Sequence, residues 1–146
     1  MINTEIIVNR FFEAKHLFNS VEYVIKDIDK YAFSVRTKNS NLNKIKKVLV
    51  VAVVHGNEIG GIESIYQLSK WFSQSVTDNI ELTLVLGNVP AVILGKRFVD
   101  LDLNRSFSVS SGSKAEHILA QRLENIINDM DAVVDPTVFH SDSFAK

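Results

Sequence analysis

Hydrophobic side chains recur along the chain at two different spacings, and the spacing distinguishes helix from strand. Over residues 4–18 they recur every three or four positions, which predicts an amphipathic helix. Residues 31–37 alternate apolar with polar or small side chains, which is typical of a half-exposed strand. Residues 48–54 form an unbroken apolar run rich in β-branched side chains, as expected for a central parallel strand covered on both faces.

The second half of the chain continues this alternation. A second helix begins with the segment HGNE at residues 55–58, and another strand covers residues 80–86. Ser113 and Glu116 have the spacing of a capping box, which predicts the start of a third helix. Residues 131–135 are predicted to begin a further strand. Strands alternating with helices predict an α/β fold with a central mixed sheet flanked by helices.

Composition limits the kind of protein this is. The chain has 146 residues, 46% of them hydrophobic and 23% charged, which suits one globular domain over residues 1–146. A net charge of −1 gives no field that would attract nucleic acid or an anionic membrane. The absence of cysteine restricts any metal site to His, Asp and Glu. We therefore expect a cytoplasmic protein with neither nucleic-acid nor membrane partners.

His55 and Glu58 leave the end of the longest apolar run three residues apart. Open α/β sheets bind ligands beyond the carboxyl ends of their strands. One His and one carboxylate are two of the three protein ligands in a His2Glu catalytic zinc site. The position therefore favours a metal site, although a polar turn in which Glu58 caps the next helix would give the same local pattern.

Polar side chains are concentrated in residues 97–105 without the period of a helix or strand. Arg97 and Arg105 are planar donors that suit a carboxylate or a phosphate, and Asn104 can add an amide hydrogen bond. Asp102 could pair with an arginine and hold the segment in shape. The alternative is a solvated turn closed by local salt bridges.

Together these segments resemble the succinylglutamate desuccinylase and aspartoacylase family, zinc-dependent deacylases with the zinc-carboxypeptidase fold. The matching motifs are HGNE at 55–58, GN followed by Ala within 87–91, and GKRFVDLDLNRSF at 95–107. The similarity covers residues 47–135 as a family-like core. Residues 1–46 form a lead-in helix and strand, and residues 136–146 form a divergent tail.

The resemblance implies a cofactor, a reaction and a role for each matching residue. His55 and Glu58 would bind Zn2+, Arg97 would face the tetrahedral intermediate or polarise the scissile carbonyl, and Asn104 and Arg105 would hold the substrate's α-carboxylate. The implied reaction is attack of zinc-activated water on the amide of a small N-acyl amino acid. A metallocarboxypeptidase that cuts peptides would share these residues and is an alternative.

The sequence departs from the family pattern near its end. The family has Asp-Leu-His at the strand that supplies the third zinc ligand, whereas Asp135 is followed by Pro136 and Thr137. His140 is the substitute ligand that the sequence offers, but Pro136 disfavours continuing the strand towards it. We therefore expect a fold that is incomplete on its C-terminal side and a poor or inactive hydrolase. A non-catalytic, truncated relative that binds a carboxylate and forms homo-oligomers through uncovered sheet surface is a further alternative.

Overall fold

Five strands, four α-helices and one short 3₁₀ helix make up the part of the chain that the computed structural model describes, residues 3–75, 77–107 and 112–136. In chain order the elements are α1 (Thr4–His16), β1 (Tyr23–Asp29), β2 (Ala32–Thr37), β3 (Lys46–Ala52), α2 (Gly60–Ser75), β4 (Ile80–Leu86), α3 (Val89–Leu94), the 3₁₀ helix (Leu103–Arg105), α4 (Ala115–Ile127) and β5 (Ala132–Val134). No helix within these ranges is both long and apolar enough to cross a membrane.

The five strands form one mixed sheet in the order β1-β2-β4-β3-β5. The strand β3 is parallel to both of its neighbours, β4 and β5, whereas β1 and β2 join by antiparallel pairing. The predicted mixed sheet, with residues 48–54 supplying a central parallel strand, is therefore confirmed. The carboxyl ends of β3 and β4 lie side by side at one edge of the sheet.

The side chains of β3 show why the sheet needs helices on both faces. Val50 and Ala52 pack into a hydrophobic cluster that includes residues of α1 and α2. Leu49 and Val51 point to the other face and pack with residues of α4. Because successive side chains of a strand point to opposite faces, an unbroken apolar run can be buried only between two layers.

Two element boundaries differ from the prediction at the point where β3 meets α2. The strand ends at Ala52, and α2 begins at Gly60 rather than with the HGNE segment. Val53 causes the early end, because its φ of 52° lies in the left-handed region that a β-branched residue rarely adopts. This conformation costs on the order of 1–3 kcal/mol, and it turns the chain out of the strand before His55.

Three elements were not predicted: β1, α3 and the 3₁₀ helix. The strand β1 buries Tyr23 but leaves most of its later residues exposed, so its apolar alternation is weak. The helix α3 begins within the GN motif of residues 87–91, where no element was predicted. The side chain of Asn88 accepts a hydrogen bond from the Ala91 N–H at 3.2 Å, and Gly95, with a φ of 63°, ends the helix.

The predicted capping box at α4 is wrong. The residue that precedes the helix is Lys114, and Glu116 does not reach back to a cap. Glu116 is instead fully buried, with its carboxylate directed at the segment that precedes the 3₁₀ helix. Three backbone N–H groups of that segment provide a better environment for the carboxylate than a single N–H at the cap would. Of the predicted tail, residues 137–146, and with them His140, lie outside the described residues.

Candidate functional site

The loop that follows β3 is anchored to the end of β4. The N–H groups of Gly87 and Asn88 donate to the carbonyl oxygens of Ala52 and Val53, each at 2.8 Å. These two bonds continue the pairing of the strands past their formal ends. They hold the chain at the carboxyl edge of the sheet, where His55 follows and is 5% exposed.

Gly56 fixes the same loop by a contact that no other residue type permits. A Cβ atom on Gly56 would lie 2.3 Å from the Lys96 carbonyl oxygen and 2.4 Å from the carbonyl carbon of Ala91. Both neighbours are backbone atoms and cannot be moved by a rotamer change. The Gly56 N–H also donates to the Arg97 carbonyl oxygen at 2.9 Å, so the loop is joined directly to the second polar segment.

The imidazole of His55 lies between two carboxylates. Its Nδ1 is 2.9 Å from Oε1 of Glu58, and its Nε2 is 3.0 Å from Oδ1 of Asp102. The other carboxylate oxygen of Glu58 accepts a hydrogen bond from the His55 backbone N–H at 3.3 Å. The structure therefore brings His55 and Glu58 together at the sheet edge and adds Asp102, for which only a pairing with arginine was considered.

These contacts determine the electrostatics of the ring. Burial alone would lower the pKa of His55, but the hydrogen bonds to Asp102 and Glu58 outweigh it and the pKa is raised. The hydrogen bond from His55 lowers the pKa of Asp102, with the Asn104 N–H contributing. Asp102 therefore stays ionised and accepts a hydrogen bond from the Nε2–H of His55. The raised pKa favours a second proton on Nδ1, which donates to Glu58, and a metal ion held by Nδ1 and Glu58 would replace that proton.

The pair formed by His55 Nδ1 and Glu58 Oε1 has the chemistry of a cation site. In the neutral ring both atoms carry lone pairs, and at 2.9 Å they are held together only by a proton or a metal ion between them. An imidazole nitrogen and a carboxylate oxygen both suit zinc. Within the described ranges no group of three His, Cys, Asp or Glu side chains is arranged to hold a metal, so two donors are present and a third is not.

Arg97 lies beside this cluster. Its Nη2 is 3.3 Å from His55 Nε2 and 3.8 Å from Oδ2 of Asp102, and about half of the side chain, 52%, is exposed. A guanidinium is only a donor, so it cannot bond to an Nε2 that already donates to Asp102. We therefore assign the Arg97 contact to the carboxylate, which leaves most of its donors directed at solvent.

Arg97 and Arg105 line one cleft of about 500 Å³, whose floor includes Asp102. Neither His55 nor Asn104 lines this cleft, so the residues with predicted roles are not all gathered in one cavity. Asn104 is exposed and contributes its backbone N–H, which donates to Oδ1 of Asp102 at 3.0 Å. That bond caps the 3₁₀ helix and orients the carboxylate that contacts His55.

Glu116 and Asn88 also belong to the site, although neither was predicted to have a role there. The Glu116 carboxylate accepts hydrogen bonds from the N–H groups of residues 99–101 and from Nδ2 of Asn88. The sequence contained an indication that Glu116 is buried, because Glu116 shares a helical face with Ala120 and Leu123, which are both buried. A charged residue on the apolar face of a helix requires hydrogen-bond partners, which the polar segment provides.

A comparison with known proteins identifies the family. The catalytic-domain model of the succinylglutamate desuccinylase/aspartoacylase family matches residues 44–142. A probable aspartoacylase of Prochlorococcus marinus subsp. pastoris is 45% identical over 64 residues, which are 44% of this chain and 21% of the relative. A probable aspartoacylase of Nostoc is 30% identical over 64% of this chain and 35% of the relative. The chain thus spans about a fifth to a third of these curated relatives.

Solved structures show the same fold at low sequence identity. A succinylglutamate desuccinylase from Vibrio parahaemolyticus matches 80% of this chain and 43% of its own, with a TM-score of 0.66 and 16% identity. A metallo-carboxypeptidase from Burkholderia cenocepacia matches 88% of this chain and 39% of its own, with a TM-score of 0.62 and 15% identity. The fold is therefore α/β of the zinc-carboxypeptidase type, as predicted.

Proposed function

This chain belongs to the succinylglutamate desuccinylase/aspartoacylase family, and we propose that it carries the metal-binding and substrate-binding part of a zinc-dependent deacylase of N-acyl amino acids. The observation that supports the proposal most strongly is the placement of His55 between Asp102 and Glu58 at the carboxyl edge of the sheet. An imidazole held in one orientation, with a second ligand beside its free nitrogen, is the arrangement that metal sites use.

We propose that His55 Nδ1 and Glu58 hold the metal. Bound zinc would supply a Lewis acid and lower the pKa of its water towards about 7. Asp102 keeps Nε2 protonated and fixes the plane of the ring, so that Nδ1 presents its lone pair in one direction. His140, the candidate that the sequence offers for a third ligand, lies outside the described residues.

We propose that the two arginines of the cleft bind different groups of the substrate. Arg97, beside the ring of His55, faces the scissile carbonyl, where its exposed donors can stabilise a developing oxyanion. Arg105, farther along the same cleft, binds the α-carboxylate, with Asn104 next to it in sequence as an additional donor. Their shared cleft supports this assignment.

Hydrolysis of matched substrates tests the proposal. N-acetyl and N-succinyl amino acids would be compared with dipeptides that end in the same residue, with release of the free amine as the readout. We expect slow release from the N-acyl amino acids, abolished by His55→Ala, because Pro136 and Thr137 stand where the family has the Leu-His that supplies its third zinc ligand. Faster cleavage of the dipeptides would favour the metallocarboxypeptidase alternative.

A second candidate is a non-catalytic member of the family that binds a carboxylate, and it is favoured by the sequence after Asp135, where Pro136 and Thr137 replace the family's Leu-His. Calorimetry with N-acetyl amino acids separates it from the enzyme. Both candidates predict that Arg105→Lys weakens binding by about tenfold, because lysine lacks the bidentate geometry. Binding without any turnover would favour the second candidate, and unchanged binding in Arg105→Lys would remove Arg105 as the carboxylate ligand in both.

A further inference from the structure

We propose that Glu116 is a positioning residue that holds Arg97 and Asp102 against His55. The inference rests on the function proposed above, because it assigns Glu116 to the same site. Glu116 is completely buried and lies in the first turn of α4, outside the motifs that carry the family resemblance. A charged group in that position needs strong partners, and all its described partners belong to the segments that build the site.

Each of the two carboxylate oxygens of Glu116 accepts two hydrogen bonds. Oε1 accepts from the Val99 N–H at 2.6 Å and from Nδ2 of Asn88 at 3.2 Å. Oε2 accepts from the N–H groups of Asp100 at 3.0 Å and Leu101 at 3.1 Å. Three consecutive backbone donors directed at one carboxylate form an anion-binding loop of the kind usually filled by a ligand.

The bonds run in both directions between α4 and this loop. The Asp100 carboxylate accepts the Ala115 N–H at 3.1 Å, so the loop supplies a side-chain acceptor for the beginning of the helix. Asn88 links the loop to α3, because its Oδ1 caps that helix while its Nδ2 binds Glu116. The backbone of residues 99–101 is thereby fixed from two helices.

The fixed segment lies between Asp102, which is hydrogen-bonded to His55, and Arg97, which is paired with Asp102. Arg97 precedes Val99 by two residues, and Asp102 follows Leu101 directly. The bond from His55 Nε2 to Asp102 is 3.0 Å long, and a displacement of about 1 Å would take it beyond hydrogen-bond distance. Glu116 therefore acts on His55 through Asp102 without touching it.

The test compares Glu116→Gln with Ile126→Ala in the full chain. Glutamine keeps the size of the side chain but replaces one acceptor oxygen by an amide donor, which faces backbone N–H groups. Ile126 is buried on the same helix, about three turns from Glu116, so its truncation weakens the packing of α4 away from the loop. Glu116→Asp, which keeps the charge on a shorter side chain, is used if the glutamine variant does not fold.

The readouts are the ring 15N signals of His55 in long-range 1H–15N spectra and the hydrogen exchange of the amides of residues 99–101. We expect the wild type and Ile126→Ala to carry the proton on Nε2. In Glu116→Gln or Glu116→Asp we expect a shifted Nε2 signal, because the hydrogen bond to Asp102 is weakened, and at least tenfold faster exchange of the three amides.

Three results would overturn the proposal. They are a wild type without the Nε2 proton, a Glu116 variant that keeps the wild-type ring signals, and an Ile126→Ala variant whose ring signals and amide exchange change as much as those of the Glu116 variant. None of these measurements uses zinc or substrate. A failure of the proposed function, seen as no binding of zinc or N-acyl amino acid by the wild type, is thus distinguished from a failure of the positioning role.

Discussion

The two segments that meet at His55 are held in different ways. The loop of residues 53–58 is fixed locally, by the end of its own strand and by the close packing of Gly56 against backbone. The segment of residues 97–105 has no strand of its own, and its conformation depends on a carboxylate that arrives from α4. The comparison indicates that ligand residues can follow a local pattern while the groups that orient them come from distant parts of the chain.

The largest effect is expected from a change in the local segment. Gly56→Ala should destabilise the fold by about 3 kcal/mol, because the added methyl group meets backbone atoms that cannot move aside. Urea unfolding measures the change. Gly60→Ala is the matched control, since no described heavy atom lies within 4 Å of a Cβ built there. Similar losses in the two variants would contradict the local account.

A smaller effect is expected from the distant anchor. Glu116→Gln should cost about 2 kcal/mol at neutral pH, because buried backbone N–H groups lose a charged acceptor. Burial acts to raise the pKa of Glu116, but the hydrogen bonds from Val99, Asp100 and Leu101 outweigh it, and the pKa is lowered.

Because the pKa of Glu116 is lowered, the loss of stability in Glu116→Gln should decrease as the pH falls. The stabilisation is complete above the pKa of an unfolded glutamate, about 4.3, and is lost as the pH falls through the lower pKa of the folded state. The difference in unfolding free energy between wild type and Glu116→Gln should therefore shrink in acid. A difference that stays constant from neutral pH to about pH 3 would contradict this assignment.

The smallest effect is expected where the two segments touch. Asp102→Asn removes the charge that orients His55 and should weaken zinc binding by about tenfold, with little change in stability. Asp100→Asn removes the same charge from the same loop at a residue whose side chain contacts Ala115 rather than His55. Competition with a chromophoric chelator measures both variants. Equal affinities would show that Asp102 does not orient the ligand.

Local patterns predicted the fold to the extent that each element is determined by its own sequence. The run at residues 48–54 was enough to place a parallel strand at the centre of the sheet, and the predicted strand over residues 80–86 matches β4. The positive φ of Val53, which ends β3 early, could not be predicted, because hydrogen bonds from the end of β4 stabilise it. The exposed strand β1 lacks the alternation that identifies a strand.

Part of the candidate site could also be predicted from local patterns, whereas the contacts between distant residues could not. His55, Glu58 and the two arginines were identified from residue type and position. The contact between Asp102 and His55 joins residues 47 positions apart, and only the folded chain brings them together. Glu116 matched a capping pattern, so a local explanation was available that did not require the distant partners the structure shows.

Zinc binding by the chain, freed of metal with a chelator, tests the central claim most directly. Calorimetry should show one zinc ion per wild-type chain, and His55→Ala and Glu58→Gln should each lose binding. His16→Ala, which removes an exposed histidine on α1, should bind like the wild type. Zinc bound equally well by His55→Ala, or not bound by the wild type, would contradict a metal site at the carboxyl edge of this sheet.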